Sequence, residues 1–212
     1  MKVNANIYLD GHDIAGHELN YFKPYTIINK EFIDDAGLKQ TLKVGVIGFL
    51  TPIVAEWNKQ YFAGKLKVKN IQKTAEHFVP IMKNQGADII IALAHVGMNA
   101  DNGLKAKTGN AVYSLSKVDG IDVILYGHTH SLFPVKGSAK QVEGIDQNNG
   151  KINGKAAVQA GYWGNHLGII DLSLVKKGGE WTVTSSQSSA KPIYRIINKK
   201  KRPIVKPDPI IQ

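Results

Sequence analysis

The stretch DVILYGHTHSLFP, residues 122–134, joins a short apolar run to a turn that carries two histidines. The apolar residues are typical of a buried strand, and Gly127 permits a sharp turn directly after it. His128 and His130 follow, separated by one threonine. Because α/β sheets build their sites in the loops at the carboxyl ends of parallel strands, the sequence predicts a functional site at this turn.

The residues before this stretch repeat a strand and helix pattern. Residues 42–50 (LKVGVIGFL) and 87–95 (ADIIIALAH) are predicted as two further buried strands. Apolar residues recur at helical spacing over residues 67–85, and a shorter helix is predicted over 110–118. Alternating strands and helices predict an α/β fold with a parallel sheet.

The remaining segments carry weaker signals. Residues 1–40 are expected to be irregular, and a Gly-, Lys- and Asn-rich loop is expected after the histidines, up to residue 155. Three consecutive antiparallel strands are predicted after residue 155. Residues 1–190 are therefore assigned to one domain, and the proline-containing residues 191–212 to a linker.

Histidine also ends the second predicted strand, at His95. A right-handed crossover makes this strand a near neighbour of the strand that leads to His128 and His130, so three imidazoles are expected at one edge of the sheet. Imidazole is a common nitrogen ligand for zinc, manganese and iron, and residues i and i+2 of an extended turn share a side. The alternative is that these are surface loop histidines without a role.

Composition limits the classes of function. The chain has no cysteine, which excludes disulfides and thiolate metal sites. It has no apolar run long enough to span a membrane, and its first residues lack the apolar core of a signal peptide. The net charge of +10 attracts polyanions, and the basic run 199–202 is either a solvated tail or an anion-binding arm. The sequence contains no basic patch interleaved with aromatic residues, so it does not predict specific binding of nucleic acid.

Five segments together resemble a known family. They are FKPYTI (22–27), VGVIGFLTP (44–52), GADIIIALAHVGM (86–98), VDGIDVILYGHTHSLFP (118–134) and AGYWGNHLGIIDLSL (160–174). Their order and spacing resemble the calcineurin-like metallophosphoesterases, and within them the catalytic domain of the 2',3'-cyclic-nucleotide 2'-phosphodiesterase/3'-nucleotidases. The resemblance implies a metallophosphoesterase sandwich of mixed sheets flanked by helices, of which this chain is a part.

The resemblance also implies a chemistry. The family uses two divalent ions roughly 3.5–4 Å apart, and an activated hydroxide attacks phosphorus. By that similarity His95 and His128 bind one ion and His130 the other, with zinc, manganese, iron or cobalt as candidates. The expected substrate is a nucleotide, and the expected location is the periplasm, the cell wall or the outside of the cell.

Three family motifs that carry further ligands are expected upstream of this chain. The resemblance therefore implies that the chain lacks the N-terminal half of its site, and also a C-terminal substrate domain. Two segments spell parts of those motifs: Asp10-Gly11-His12, expected in an insertion loop, and Gly164-Asn165-His166, expected in a sheet turn.

The predicted function is hydrolysis of 2',3'-cyclic nucleotides and 3'-nucleotides, with this chain alone weak or inactive. Two alternatives stay open. One is a 5'-nucleotidase or sugar-nucleotide hydrolase of the same group. The other is a noncatalytic binding module that has lost the metals.

Overall fold

The computed structural model describes residues 2–14, 17–98, 110–138 and 142–210. The helices are α1 (Val54–Trp57), α2 (Lys59–Phe62), α3 (Ile71–Asn84) and α4 (Val112–Leu115). The strands are β1 (Ile7–Ile14), β2 (His17–Asn20), β3 (Tyr25–Ile33), β4 (Lys39–Leu50), β5 (Leu66–Val68), β6 (Ile89–His95), β7 (Val123–Tyr126), β8 (Leu132–Phe133), β9 (Ile145–Asp146), β10 (Lys151–Ile152), β11 (Lys155–Ala160), β12 (His166–Lys177), β13 (Glu180–Pro192), β14 (Tyr194–Ile197) and β15 (Lys200–Pro203).

A mixed sheet forms the centre of the molecule, in the order β3-β4-β6-β7-β11-β10-β9. Strands β4, β6, β7 and β11 run parallel. Strand β3 pairs antiparallel with β4, β10 pairs antiparallel with β11, and β9 pairs antiparallel with β10. The predicted α/β class, with mixed sheets flanked by helices, is confirmed. The strands predicted at 42–50, at 87–95 and in the apolar run before Gly127 are β4, β6 and β7.

Helix α3 covers one face of this sheet. Its Asn70 cap accepts a hydrogen bond from the backbone N–H of Lys73, and its apolar side chains lie at three- and four-residue intervals. The buried core joins residues of this helix to alternate residues of the central strands: Ile71, Ala75, Phe78, Val79, Met82, Ile47, Ile90, Ala92, Ile124 and Ala157. Because α3 packs through its apolar face, it covers the face of the sheet on which these alternate strand residues lie.

The hairpin β12–β13 lies against the opposite face. A Cβ on Gly168 of β12 would come within 3.0 Å of Val158, which points away from the helix side because its neighbour Ala157 is in the core. At the other end of the hairpin, Trp181 Nε1 donates to the carbonyl of Thr41, 3.1 Å away. The face is only partly covered, since Leu93 and Leu125 are 39% and 37% exposed.

Two expectations, for residues 1–40 and for the strand after residue 155, were wrong. Residues 1–40 contain β1, β2 and β3. These strands form by pairing with other strands, which the irregular local sequence pattern did not indicate. Strand β11 pairs parallel with β7, so only β12 and β13 form the expected antiparallel neighbours. Residues 194–203 form an antiparallel ribbon, β14–β15, inside the segment expected to be a linker, and that boundary stays a prediction.

No helix among the described residues is long and apolar enough to cross a membrane.

Asn6 ties three segments together and is fully buried. Its Nδ2 donates to the carbonyls of Leu50 (2.8 Å) and Lys69 (3.1 Å), and its Oδ1 accepts from the backbone N–H of Leu50 (2.9 Å). The residue therefore holds the N-terminal strand against the end of β4 and the approach to α3.

We predict that Asn6→Ala lowers the free energy of unfolding by about 2 kcal/mol, because buried backbone groups lose their partners. Urea unfolding measures this change. The matched control is Asn84→Ala at the exposed end of α3, which we expect to change stability by less than about 0.5 kcal/mol. Equal effects of the two substitutions would contradict the anchoring role.

Candidate functional site

Two histidines meet where the central parallel strands end. Strands β6 and β7 are direct neighbours in parallel register, with Ala94 opposite Tyr126. His95 is the last residue of β6, and His128 follows β7 by two residues. Their imidazole centroids are 5.3 Å apart, with the rings edge to face. The prediction that the two strands lie side by side is confirmed, and it brings these two rings together.

The turn after β7 has an unusual backbone. His128 and His130 have φ values of 75° and 56°, in the left-handed region that few residues other than glycine adopt. The backbone N–H of Thr129 donates to the carbonyl of Gly127 at 2.9 Å, which tightens the turn. Left-handed residues of this kind cluster at functional sites, where surrounding contacts hold them.

This geometry corrects one expectation. The turn was expected to be extended, and its backbone is instead left-handed at both histidines. His128 lies against His95, and His130 stacks on Tyr162 with ring centroids 5.4 Å apart. That His128 and His130 present their rings on one side stays a prediction.

Gln159 of β11 supports the histidine turn through hydrogen bonds, and it is buried, with 2% of the residue exposed. Its amide and the Thr129 hydroxyl are hydrogen-bonded at 3.0–3.1 Å. In the amide orientation that satisfies every partner, its oxygen accepts from the backbone N–H of His130 (3.2 Å) and Ser131 (3.0 Å). Sequence reasoning missed this residue, although it is the one polar side chain inside the apolar part of KAAVQA.

Trp57 was also missed. It lies at the end of α1, which follows the carboxyl end of β4, and its ring stacks on His128 at 5.6 Å with an interplanar angle of 29°. The indole is 62% exposed. A tryptophan a few residues after a predicted parallel strand could have indicated its position, since every such loop leaves the same edge of the sheet.

The surroundings of His128 favour its neutral form over its protonated form. Partial burial lowers its pKa from the ordinary value, and repulsion from His95 and then His130 lowers the pKa further. A neutral imidazole has a free nitrogen lone pair, which is the form that binds a metal ion. The lowered pKa of His128 therefore favours the metal-binding form of this ring.

The donor set fits a metal ion only in part. His95 and His128 are close enough to act as two imidazole donors to one ion. Across the part of the chain that the structure describes, no group of three or more His, Cys, Asp or Glu side chains could hold an ion. His95 and His128 thus fit as part of a site, and the metal roles of His95, His128 and His130 stay predictions.

The two segments that spell partial motifs lie in β1 and in the turn before β12. Asp10-Gly11-His12 lies in β1, in a separate three-stranded sheet, and the His12 side chain lies outside the described residues. Asn165 lies in the turn before β12, where its Oδ1 accepts from the backbone N–H of Tyr162 (3.2 Å) and lies 2.8 Å from His166 Nδ1. This is the sheet turn that the sequence predicts.

Comparison with known proteins identifies similar chains. Residues 4–132 match the family model described as calcineurin-like phosphoesterase. The chain is 44% identical over 198 residues to the 2',3'-cyclic-nucleotide 2'-phosphodiesterase/3'-nucleotidase of Salmonella typhimurium, a match that covers 93% of this chain and 30% of the relative. The protein of the same name from Haemophilus influenzae is 40% identical over 209 residues, which cover 99% and 30% of the two chains.

A solved structure shares the fold. The crystal structure of calcineurin-like phosphoesterase YfkN from Bacillus subtilis superposes with a TM-score of 0.83 at 39% identity, over 90% of this chain and 55% of that one. The chain spans about 30% of the length of the two curated relatives named above.

The lowered pKa of His128 predicts a pH dependence of stability. In the unfolded chain this imidazole has its ordinary pKa of about 6.5, and in the folded chain its pKa is lower. At a pH between these two values the unfolded chain therefore binds more protons than the folded chain. The free energy of unfolding consequently falls as the pH is lowered from 7 through this range. His128→Asn, which suits a left-handed backbone, should remove this part of the dependence.

Urea unfolding at several pH values, with an NMR titration of the His128 ring, measures the effect. A His128 midpoint at or above about 6.5 would contradict the prediction.

Proposed function

The chain belongs to the calcineurin-like phosphoesterase family, and we propose that it forms part of an enzyme that hydrolyses 2',3'-cyclic nucleotides and 3'-nucleotides. The family membership supports phosphoester hydrolysis. The finer choice of substrate is supported by the names of relatives at 40–44% identity, which match almost the whole chain.

One observation carries the proposal. His95 and His128, from the carboxyl ends of neighbouring parallel strands, place their rings 5.3 Å apart on the edge of the sheet where α/β proteins bind ligands. Burial and repulsion from His95 lower the pKa of His128, which favours the neutral imidazole that binds metal ions.

We propose that His95 and His128 would hold one divalent ion and that His130 would contribute to a second. Two divalent ions, when bound, supply Lewis-acid activation of water and neutralise charge on the phosphoryl group. Neutral imidazoles leave the charge of their ligated cation uncancelled, so an anionic phosphate would still be attracted. Gln159 and Trp57 would keep the His128 turn in position.

We further propose that the remaining ligands lie outside these 212 residues. Two features support this: the chain spans about 30% of the length of its curated relatives, and its described residues contain no group of three or more His, Cys, Asp or Glu side chains that could hold an ion. Three histidines without a bridging carboxylate would bind two cations poorly. The chain alone is then weakly active or inactive.

The experiment measures bound manganese and the hydrolysis of 2',3'-cyclic AMP, 3'-AMP and 5'-AMP. It compares the 212-residue chain, a longer polypeptide of the same gene that includes it, and His128→Asn in both. We expect turnover of the cyclic and 3'-nucleotides by the longer polypeptide, at least about tenfold less in its His128→Asn variant, and weak or no turnover by the short chain.

Each other outcome has a definite meaning. Preference of the longer polypeptide for 5'-AMP would favour a 5'-nucleotidase. Absence of both metal and turnover in the longer polypeptide would favour a noncatalytic binding module. Full activity of the short chain would contradict the proposed incompleteness, and an active His128→Asn variant would contradict the role of the imidazole pair.

A further inference from the structure

The basic run near the end of the chain lies in an antiparallel ribbon. Strands β14 and β15 pair in register up to Ile197 opposite Lys200, and Asn198 and Lys199 form the two-residue turn between them. Both turn residues have positive φ, 50° and 61°, as hairpin turns of this length favour. Residues 194–203 therefore present their side chains on two defined faces.

The ribbon and its flanks, residues 191–207, form a surface of one charge sign, which we call the basic ribbon. These residues include seven Lys and Arg and no Asp or Glu, so they contribute seven of the chain's ten net positive charges. The salt bridges among the described residues involve none of the seven. Arg195 lies directly opposite Arg202, and like charges at opposed positions destabilise a pair of strands. An anionic partner would relieve this repulsion.

One face of the basic ribbon points away from its contact with the rest of the molecule. The backbone N–H of Ile193 donates to the carbonyl of Asn165 at 3.1 Å, and the Tyr194 ring meets His166 edge to face at 5.9 Å. Side chains alternate along a strand, and directly opposed residues share a face. The exposed side chains on the face opposite to Tyr194 are therefore Arg195, Ile197, Lys200 and Arg202.

Exposed aliphatic side chains accompany these cations. Ile196 and Ile197 are 69% and 41% exposed, and Ile204 and Val205, directly after β15, are 55% and 52% exposed. Segments that bind to the surface of a bilayer combine Lys and Arg, which attract anionic headgroups, with apolar side chains that enter the headgroup region. The basic ribbon places both components next to each other.

Nucleic acid fits this surface less well. Proteins that bind single strands offer free aromatic rings on which the bases stack. Tyr194 is the only aromatic residue of the basic ribbon, and its ring already contacts His166 and the Lys201 Nζ, which lies 4.5 Å from the ring centroid. The aliphatic side chains provide no stacking surface.

We infer that the basic ribbon docks the protein on an anionic lipid surface, with the face that carries Arg195 and Arg202 toward the headgroups. The cations bind the lipid phosphates, and the neighbouring aliphatic side chains enter the headgroup region. This inference goes beyond the proposed function and involves neither its metal ions nor its nucleotide, so that each can fail without the other.

The first test is sedimentation of the chain with vesicles of phosphatidylcholine alone and of an equal mixture of phosphatidylcholine and phosphatidylglycerol. We expect the anionic vesicles to bind the chain at least about tenfold more tightly, because each Lys or Arg near an anionic surface contributes to binding. Added salt should weaken this binding by screening the charges. Equal binding to the two kinds of vesicle would overturn the inference.

The second test compares two variants with the same change in net charge. Lys200→Glu/Arg202→Glu should weaken binding to the anionic vesicles at least about tenfold. The matched control is Lys30→Glu/Lys73→Glu, at exposed positions of β3 and α3, which should weaken binding less than about threefold. Arg202→Glu replaces a repulsive pair with Arg195 by an attractive one, so urea unfolding should show no loss of stability. Equal losses of binding in the two variants would contradict a role of the ribbon.

A third comparison separates a lipid surface from a soluble polyanion. Ile197→Ser should weaken binding to the anionic vesicles about threefold and leave binding to heparin unchanged, because only a bilayer accepts the aliphatic side chain. If the substitution changed neither, the ribbon would bind polyanions in general and the lipid surface would be wrong. The longer polypeptide of the same gene should bind the anionic vesicles as the short chain does, and its failure to bind would also overturn the inference.

Discussion

The parallel pairing of β6 with β7 is the constraint on which the site depends. With Ala94 opposite Tyr126, both strands end at one edge of the sheet, and His95 and His128 lie in contact there. The same pairing places Ile90, Ala92 and Ile124 in the buried core on the α3 side, so the register that positions the imidazoles is also the register of the core.

The sequence predicts the elements of this arrangement whose apolar residues follow a simple local pattern. Short apolar runs identify β4, β6 and β7, and the helical spacing between them identifies α3. Because parallel strands need a crossover of fixed hand, the adjacency of the strands that lead to His95 and His128 follows as well. Strands β1 to β3 were missed because their order comes from pairing with distant segments, such as β3 with β4, and not from local pattern.

The details of the site depend on contacts that no local pattern encodes. Gln159 is about thirty residues from the turn that it holds, and Trp57 reaches His128 from the loop of a third strand. The left-handed backbone at His128 and His130 lies among such contacts, with Trp57 stacked on one ring and Tyr162 on the other. Such supporting residues, more than the histidines themselves, set the orientation of the imidazole rings.

X-ray absorption of the zinc-loaded chain tests the central claim most directly, because it reports the atoms bound to the metal. The account predicts imidazole nitrogen neighbours in the spectrum, and a loss of nitrogen ligation in both His95→Ala and His128→Asn. A zinc spectrum that both substitutions leave unchanged, or one without imidazole neighbours, would contradict the claim that the two strand ends assemble a metal-binding pair.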